Sequence, residues 1–197
     1  MVRSYNNLYH GWINLYKDSG LTSNDALRLI KSIFKGCKIG HAGTLDPMAK
    51  GILPIALGEA TKTVPYIHEK NKTYLFAIKF GEQTDTDDAT GKIIGKSDRK
   101  PDIEQIKSVL HDYVGPINQI PPIYSAKKFN GIRSYELARK GVVPDMVSKA
   151  KTVHIENIKL VEMNSDSECT IEVTCGTGTY IRSISKHIGV KMNLCCH

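Results

Sequence analysis

The stretch Gly40-His41-Ala42-Gly43-Thr44-Leu45-Asp46-Pro47 constrains this chain more than any other. Its glycines at 40 and 43, with a third at 51, break helix and strand alike and call for a shaped loop. Pro47 drives Asp46 towards an extended backbone, so the carboxylate should leave the loop in a fixed direction. The run Ile52 to Leu57 is apolar and short, as for a buried strand that anchors the loop on a core. Two readings of Asp46 stay open at this level. A loop carboxylate either caps a neighbouring N–H, as in any turn, or serves as nucleophile or general base.

A chain of 197 residues is long enough for one domain with a sizeable core, with room for a small appendage. Lys plus Arg number 27 against 20 Asp plus Glu, a formal net charge of +7 that favours a polyanionic partner, nucleic acid before an anionic membrane. Taken alone such a charge is common in proteins with neither partner. Met1 to Tyr9 is polar where a secretory signal needs an apolar core. No window approaches the ~18 uninterrupted apolar residues of a membrane span, so a cytoplasmic protein without membrane contact is expected. The five cysteines, at 37, 169, 175, 195 and 196, form no C-x-x-C pair and are odd in number, which fits reduced thiols. Cys195-Cys196-His197 does not make a structural zinc site, because adjacent residues at a chain end do not encircle a metal; no metal is expected.

Along the chain, His10 to Lys17 reads as a first strand, and Thr22 or Ser23 as the cap of a helix. Ala26, Leu29, Ile30 and Ile33 form an apolar face of that helix at i, i+3, i+4 and i+7. Ala60 to Ile67 reads as a short helix limited by Pro65. Lys72 to Phe80 is an aromatic-rich strand with Tyr74 near its start, on its own a core or edge tyrosine with a wetted hydroxyl. A helix over Asp102 to His111 and a strand over Val114 to Ile120 follow.

Residues 121 to 133, with prolines at 121 and 122, Gly131, Lys127, Lys128 and Arg133, form either a solvated basic hairpin or an RNA contact. Ser134 to Lys140 is a short helix ending at Gly141. Val153 to Met163 and Cys169 to Cys175 read as paired strands, the second with Cys169, Ile171, Val173 and Cys175 on one face. Gly176-Thr-Gly-Thr-Tyr-Ile-Arg182 then opens a helix that runs to about His187.

Two tempting motifs fail on spacing. Asp85, Asp87 and Asp88 invite calcium, but the calcium loop's fifth position is Ala89 and its sixth is Thr90 instead of Gly. Gly176 and Gly178 lack the further glycine or Gly-Lys-Ser/Thr of a phosphate loop.

Ile39 to Ala49, continued by Gly51-Ile-Leu-Pro-Ile-Ala-Leu-Gly-Glu-Ala-Thr-Lys62, resembles the catalytic motif of the bacterial tRNA pseudouridine synthase B (TruB) family. The likeness extends to Leu21-Thr-Ser-Asn-Asp-Ala-Leu27, to Thr84, Asp85, Thr86, Asp88 and Gly91, and to Gly178-Thr-Tyr-Ile-Arg182. It also covers Pro122, Tyr124, Ser125, Ala126, Lys128, Gly131 and Tyr135. Where the family carries Lys-Pro before the first helix this chain has Lys17-Asp18, and Lys127 stands where the family commonly has an apolar residue.

The resemblance implies a mixed α/β (α+β) pseudouridine synthase fold over residues 1–197. Its central sheet would be mostly antiparallel and flanked by helices, with a small RNA-binding thumb at about 121–150. The C-terminal PUA domain of the family would be absent, in a fragment or a shortened form, with a sheet edge left bare. The implied activity is isomerisation of the T-loop uridine at tRNA position 55, on the T-arm stem-loop, by a monomer with no protein partner and no cofactor. Asp46, Tyr74 and Arg182 are implied as catalytic, with Arg182 paired to Asp46 and Tyr74 stacked on the target base or also taking a proton from the sugar. His41 would fill the gap left in the RNA loop by the turned-out base, Tyr180 would contact RNA, and Lys17, Lys62, Lys128 and Arg133 would meet phosphates. Asp85, Asp88 and the threonines beside them would fix their loop by Asx-type hydrogen bonds. The competing functions are a non-catalytic tRNA-binding protein or tRNA folding chaperone, and a synthase working in a guide-RNA complex.

Overall fold

A computed structural model describes residues 9–197; the polar stretch read above as lacking a signal falls, up to Leu8, outside the described residues. The chain gathers into two units that divide between Lys70 and Asn71.

In the first unit, β1 (Gly11–Lys17) leads to α1 (Ser23–Ile33), then β2 (Ile39–His41) and β3 (Gly51–Leu57). The three strands form an antiparallel sheet in the order β1-β3-β2, with Ile13 opposite Ile55 and Leu15 opposite Leu53. Leu53, Ile55 and Leu57 are buried with Ala26 and Cys37, so the expected strand after the glycine loop does carry the core. Thr22 caps α1, accepting from Asp25 N while Asp25 accepts from Thr22 N, a capping box that explains why the helix starts there. The buried face of α1 differs from the one expected. Leu29 is 58% and Ile33 70% exposed, and the helix packs instead through Ala26, Leu27 and Ile30, followed by Phe34. Both stripes have helical spacing and share Ala26 and Ile30; the buried Ser23, three and four residues before Ala26 and Leu27, lies on the stripe that packs. After β3 the chain makes a 3-10 turn over Gly58–Thr63 and then α2 (Val64–His68). Pro65 lies in the first turn of α2 and starts that helix instead of limiting it, since the first turn needs no donor there.

The second unit holds β4 (Lys72–Lys79), β5 (Glu82–Thr84), β6 (Ile93–Lys96), α3 (Ile103–His111) and β7 (Gly115–Gln119). It continues through β8 (Lys128–Phe129), β9 (Ile132–Arg133), α4 (Ser134–Arg139), β10 (Lys151–Ser165), β11 (Glu168–Cys175) and α5 (Ile181–Met192). The main sheet runs β4-β11-β10-β7, all antiparallel, and β5-β6 and β8-β9 are small hairpins. The expected antiparallel character holds throughout, but the described strands fall into separate sheets, and the β5-β6 hairpin goes beyond what the periodicity indicated.

Cys169, Ile171, Val173 and Cys175 of β11 all point into the core, as their alternation predicts. There they meet Ile106 and Leu110 of α3 and Ile184, Ile188 and Met192 of α5. Each such fully buried side chain is worth roughly 1.5–3 kcal/mol. The last helix runs five residues past the expected His187. The residues after it return to β4, where Phe80 and Cys196 form an antiparallel bridge and Lys79 N donates to His197 O at 3.0 Å. All five cysteines are free thiols. No group of metal-binding side chains, the terminal Cys-Cys-His included, occurs among the described residues, and no helix there is long and apolar enough to cross a membrane.

Candidate active site

The loop that carries Asp46 is tied down through its main chain. Ala42 N donates to Pro54 O (3.0 Å), which seats the loop's start on β3. The buried Ser23 hydroxyl accepts from Leu45 N (2.9 Å) and donates to Leu45 O (3.1 Å). Gly20 N donates to Pro47 O (2.9 Å), and Ala49 N to Asp46 O (3.0 Å). The residues on both sides of the half-buried Asp46 are thereby fixed by α1 and by the turn that leads into it.

Lys17 completes this anchor and does not do what was expected of it. It is 1% exposed, so it cannot meet a phosphate. Its ammonium donates to the carbonyls of Leu21 (2.7 Å), Asp18 (2.9 Å) and Pro47 (3.4 Å), stapling the turn before α1 to the Asp46 loop. Burial lowers its pKa, and the negative charges of Asp18 and Asp46 oppose that shift. Lys17 is thus a buried cation within the field of Asp46.

His41 lies on β2 opposite Ile55, half-buried, with its Nδ1 buried and lacking a hydrogen-bond partner. Desolvation lowers its pKa, with a backbone hydrogen bond at Gly43 opposing and the charge of His68 adding, so the ring is neutral at neutral pH. Lys62 is exposed on the 3-10 turn and ion-paired to Glu59.

In the second unit Arg182 occupies the first turn of α5 and is 12% exposed. Its NH1 donates to Thr86 O (3.2 Å) and its NH2 to Tyr124 O (3.1 Å), while Nε lies 3.8 Å from Asp88 Oδ2. Asp88 is itself the hub of the Asx-type loop that was expected. Its Oδ1 accepts from Thr86 Oγ1 (2.8 Å), Thr90 N (2.9 Å) and Thr90 Oγ1 (2.6 Å). These bonds and Arg182 outweigh burial and hold the Asp88 carboxyl below the usual range. Asp85 Oδ1 accepts from Lys92 N at 2.8 Å, and a Cβ on Gly91 would collide with Thr86 Oγ1 and Asp85 Oδ1, which is why only glycine closes the loop.

Tyr180, the residue before α5, is half-buried, and its backbone is clamped by Gln119. Tyr180 N donates to Gln119 Oε1 (2.7 Å), and Gln119 Nε2 donates back to Tyr180 O (3.1 Å). Tyr74 stands on β4 opposite Val173, half-buried against the core. Burial, helped by the Cys175 thiol, pushes its phenol up to about 12. Lys128 and Arg133 face each other across the β8-β9 hairpin, both exposed, with the Arg133 guanidinium 6.0 Å from the Tyr135 ring centre.

The first unit therefore brings Asp46, His41 and Lys17 to one loop and its footing, and the second brings Arg182 and Tyr180 to one helix start. Sequence reasoning missed Ser23 and Gln119 as anchors and Asp88 as a partner of Arg182. The Asp88 loop carried a signal in its Thr-Asp-Thr pattern; a buried Gln has none.

The family model described as TruB family pseudouridylate synthase (N terminal domain) matches residues 31–181. The chain belongs to that family. Among relatives, tRNA pseudouridine synthase B of Bartonella henselae is 47% identical over 187 residues, 95% of this chain and 58% of that protein. The enzyme of the same name from Ehrlichia canis is 44% identical over 184 residues, 93% of this chain and 60% of its own length. The chain thus spans less than two thirds of these TruB relatives. Among solved structures, a Cbf5-Nop10-Gar1 complex contains a chain that matches with a TM-score of 0.70 at 28% identity, covering 95% of this chain and 46% of that one. An H/ACA RNP bound to a substrate RNA containing 2'-deoxyuridine gives a TM-score of 0.68 at 26% identity, covering 95% and 44%. These likenesses place the TruB chain in the pseudouridine synthase fold.

Proposed function

We propose that the chain isomerises the T-loop uridine at tRNA position 55 to pseudouridine. The observation that carries this reading is the TruB motif loop itself, which presents Asp46 on a turn held from both sides by hydrogen bonds to its main chain, from other main-chain groups and the Ser23 hydroxyl. The reaction breaks the bond from ribose C1′ to base N1, turns the base, joins C1′ to C5 and releases the C5 proton. It needs a carboxylate to assist departure of the base, as a nucleophile at the sugar or as a base in an elimination. It needs no redox partner or activated donor. Asp46 supplies the carboxylate, and Arg182 keeps it ionised and aligned.

Tyr74 stacks on the target base. Its phenol stays protonated through the neutral range and is a poor acceptor for a sugar proton, so stacking is the role it keeps. Turning the base out of its loop costs a few kcal/mol, of which stacking on an aromatic returns ~1–3 kcal/mol. His41, neutral and half-buried, fills the space the base leaves. Tyr180 contacts the RNA beside the helix start, and Lys62, Lys128 and Arg133, all exposed, meet phosphates. The thumb spans about 121–150, the chain works as a monomer on the T-arm, and its place is the cytoplasm.

The test is incubation with an unmodified T-arm stem-loop carrying tritium at C5 of the target uridine. Tritium released to water by the wild type and abolished by Asp46→Asn supports the enzyme. RNA binding and assisted folding without release in either protein would make it a tRNA-binding protein or chaperone. Release only with an added guide RNA would make it the guided kind of synthase.

A further inference from the structure

Arg182 and Lys186 are four residues apart on α5 and so lie on one face. Each meets a carboxylate of the Thr84–Gly91 loop: Arg182 the carboxylate of Asp88, Lys186 that of Asp87. The second pair is the closer one. Lys186 Nζ lies 3.0 Å from Oδ1 and 3.2 Å from Oδ2 of Asp87. Asp87 is 5% exposed and has φ +59°, a left-handed conformation that Asp tolerates better than most side chains. Neither residue has a part in the chemistry above.

The grip on Arg182 explains why they matter. Asp88 spends Oδ1 on three donors of its own loop and meets the guanidinium through Oδ2 at 3.8 Å, while two carbonyls accept from the guanidinium. A charged carboxylate binds guanidinium more strongly than a carbonyl does. A buried carboxylate without its cation must find another or take up a proton. Asp87 adjoins Asp88 in the loop that Arg182 touches, and the charge of Arg182 already favours its ionised form while burial opposes it.

We propose that Lys186 is a positioning residue for Arg182: by occupying both oxygens of Asp87, it keeps a second buried carboxylate from drawing the guanidinium away from Asp88 and the two carbonyls. The proposal rests on the reading that Arg182 serves the isomerisation. Lys186 is 41% exposed on its side chain, so Met can keep its stem packed while the charge is lost.

The test uses the full chain, with single-turnover rates on the T-arm and the side-chain Nε–H resonance of Arg182 as a readout that needs no turnover. Lys186→Met should lower kcat about 10-fold, within the coupling range of contacting groups, and leave KM within about twofold. Asp87→Asn in the same chain should restore kcat to within about threefold, because no charged competitor is left. Lys186→Arg should stay near wild type. The Nε–H resonance should move in Lys186→Met and return in the double variant. An unmoved resonance, or a double variant as slow as Lys186→Met, would overturn the proposal and make Lys186 a fastener of the fold only. If the wild type forms no pseudouridine, the assigned reaction falls, and the resonance series by itself upholds or overturns the positioning.

Discussion

Around Asp46 the loop's main chain is tied by other main-chain groups, the buried Ser23 hydroxyl and the buried Lys17, whereas Arg182 meets a carboxylate, two carbonyls and a loop of Asx hydrogen bonds. The difference lies in what each arrangement tolerates. Backbone anchors do not depend on the Asp46 side chain, so the carboxylate can be altered without releasing its loop. The Arg182 network depends on charged side chains as well as carbonyls, so a single change in it should redirect a charge.

The largest effect should come from Asp46→Asn, which should cut pseudouridine formation by at least ~10³-fold while leaving the circular dichroism of the folded protein unchanged. A collapse of the fold would show that the carboxylate, and not the backbone, holds the loop. Next is Lys17→Met, which leaves the carbonyls of Leu21 and Asp18 without the ammonium donor, Pro47 O keeping Gly20 N, and should cost about 3 kcal/mol in urea unfolding. The same variant should leave the salt dependence of RNA binding unaltered, because a buried ammonium displaces no counterion.

Asp88→Asn weakens the charged partner of Arg182 and should lower kcat about 10-fold with little loss of RNA affinity. Lys128→Ala and Arg133→Ala, by contrast, should weaken binding and reduce the slope of log K against log salt by about 0.7–0.9 each. The smallest effect at neutral pH belongs to Tyr74→Phe. The folded phenol titrates near 12, above the ~10 of an unfolded tyrosine. Its contribution to stability is therefore whole below pH ~10 and lost as pH rises through about 12, and Tyr74→Phe should flatten that fall.

Much of this was legible in the residues. The alternation of Cys169 to Cys175 placed β11 on the core, Thr22 marked a helix start, and Asp85, Asp88 and Thr86 marked a self-bonded loop. What stayed hidden depends on tertiary return. Lys17 reads as a surface cation because lysine is almost never buried, and its carbonyl cage needs Pro47, thirty residues on. α5 runs past the expected His187 through Gly189, where a Cβ would strike Cys196 Sγ and Leu194 O, so the close return of the chain requires the glycine. The face of α1 could not be chosen from spacing, since the two stripes share half their members.

The central claim is that Asp46 and Arg182 serve a single step of the isomerisation proposed above. Single-turnover rates of pseudouridine formation for the wild type, Asp46→Asn, Arg182→Met and the double variant test it directly. The account predicts a double variant no slower than Asp46→Asn alone, as for groups that act as a unit. Losses that multiply, or an Asp46→Asn protein that keeps the wild-type rate, would contradict it.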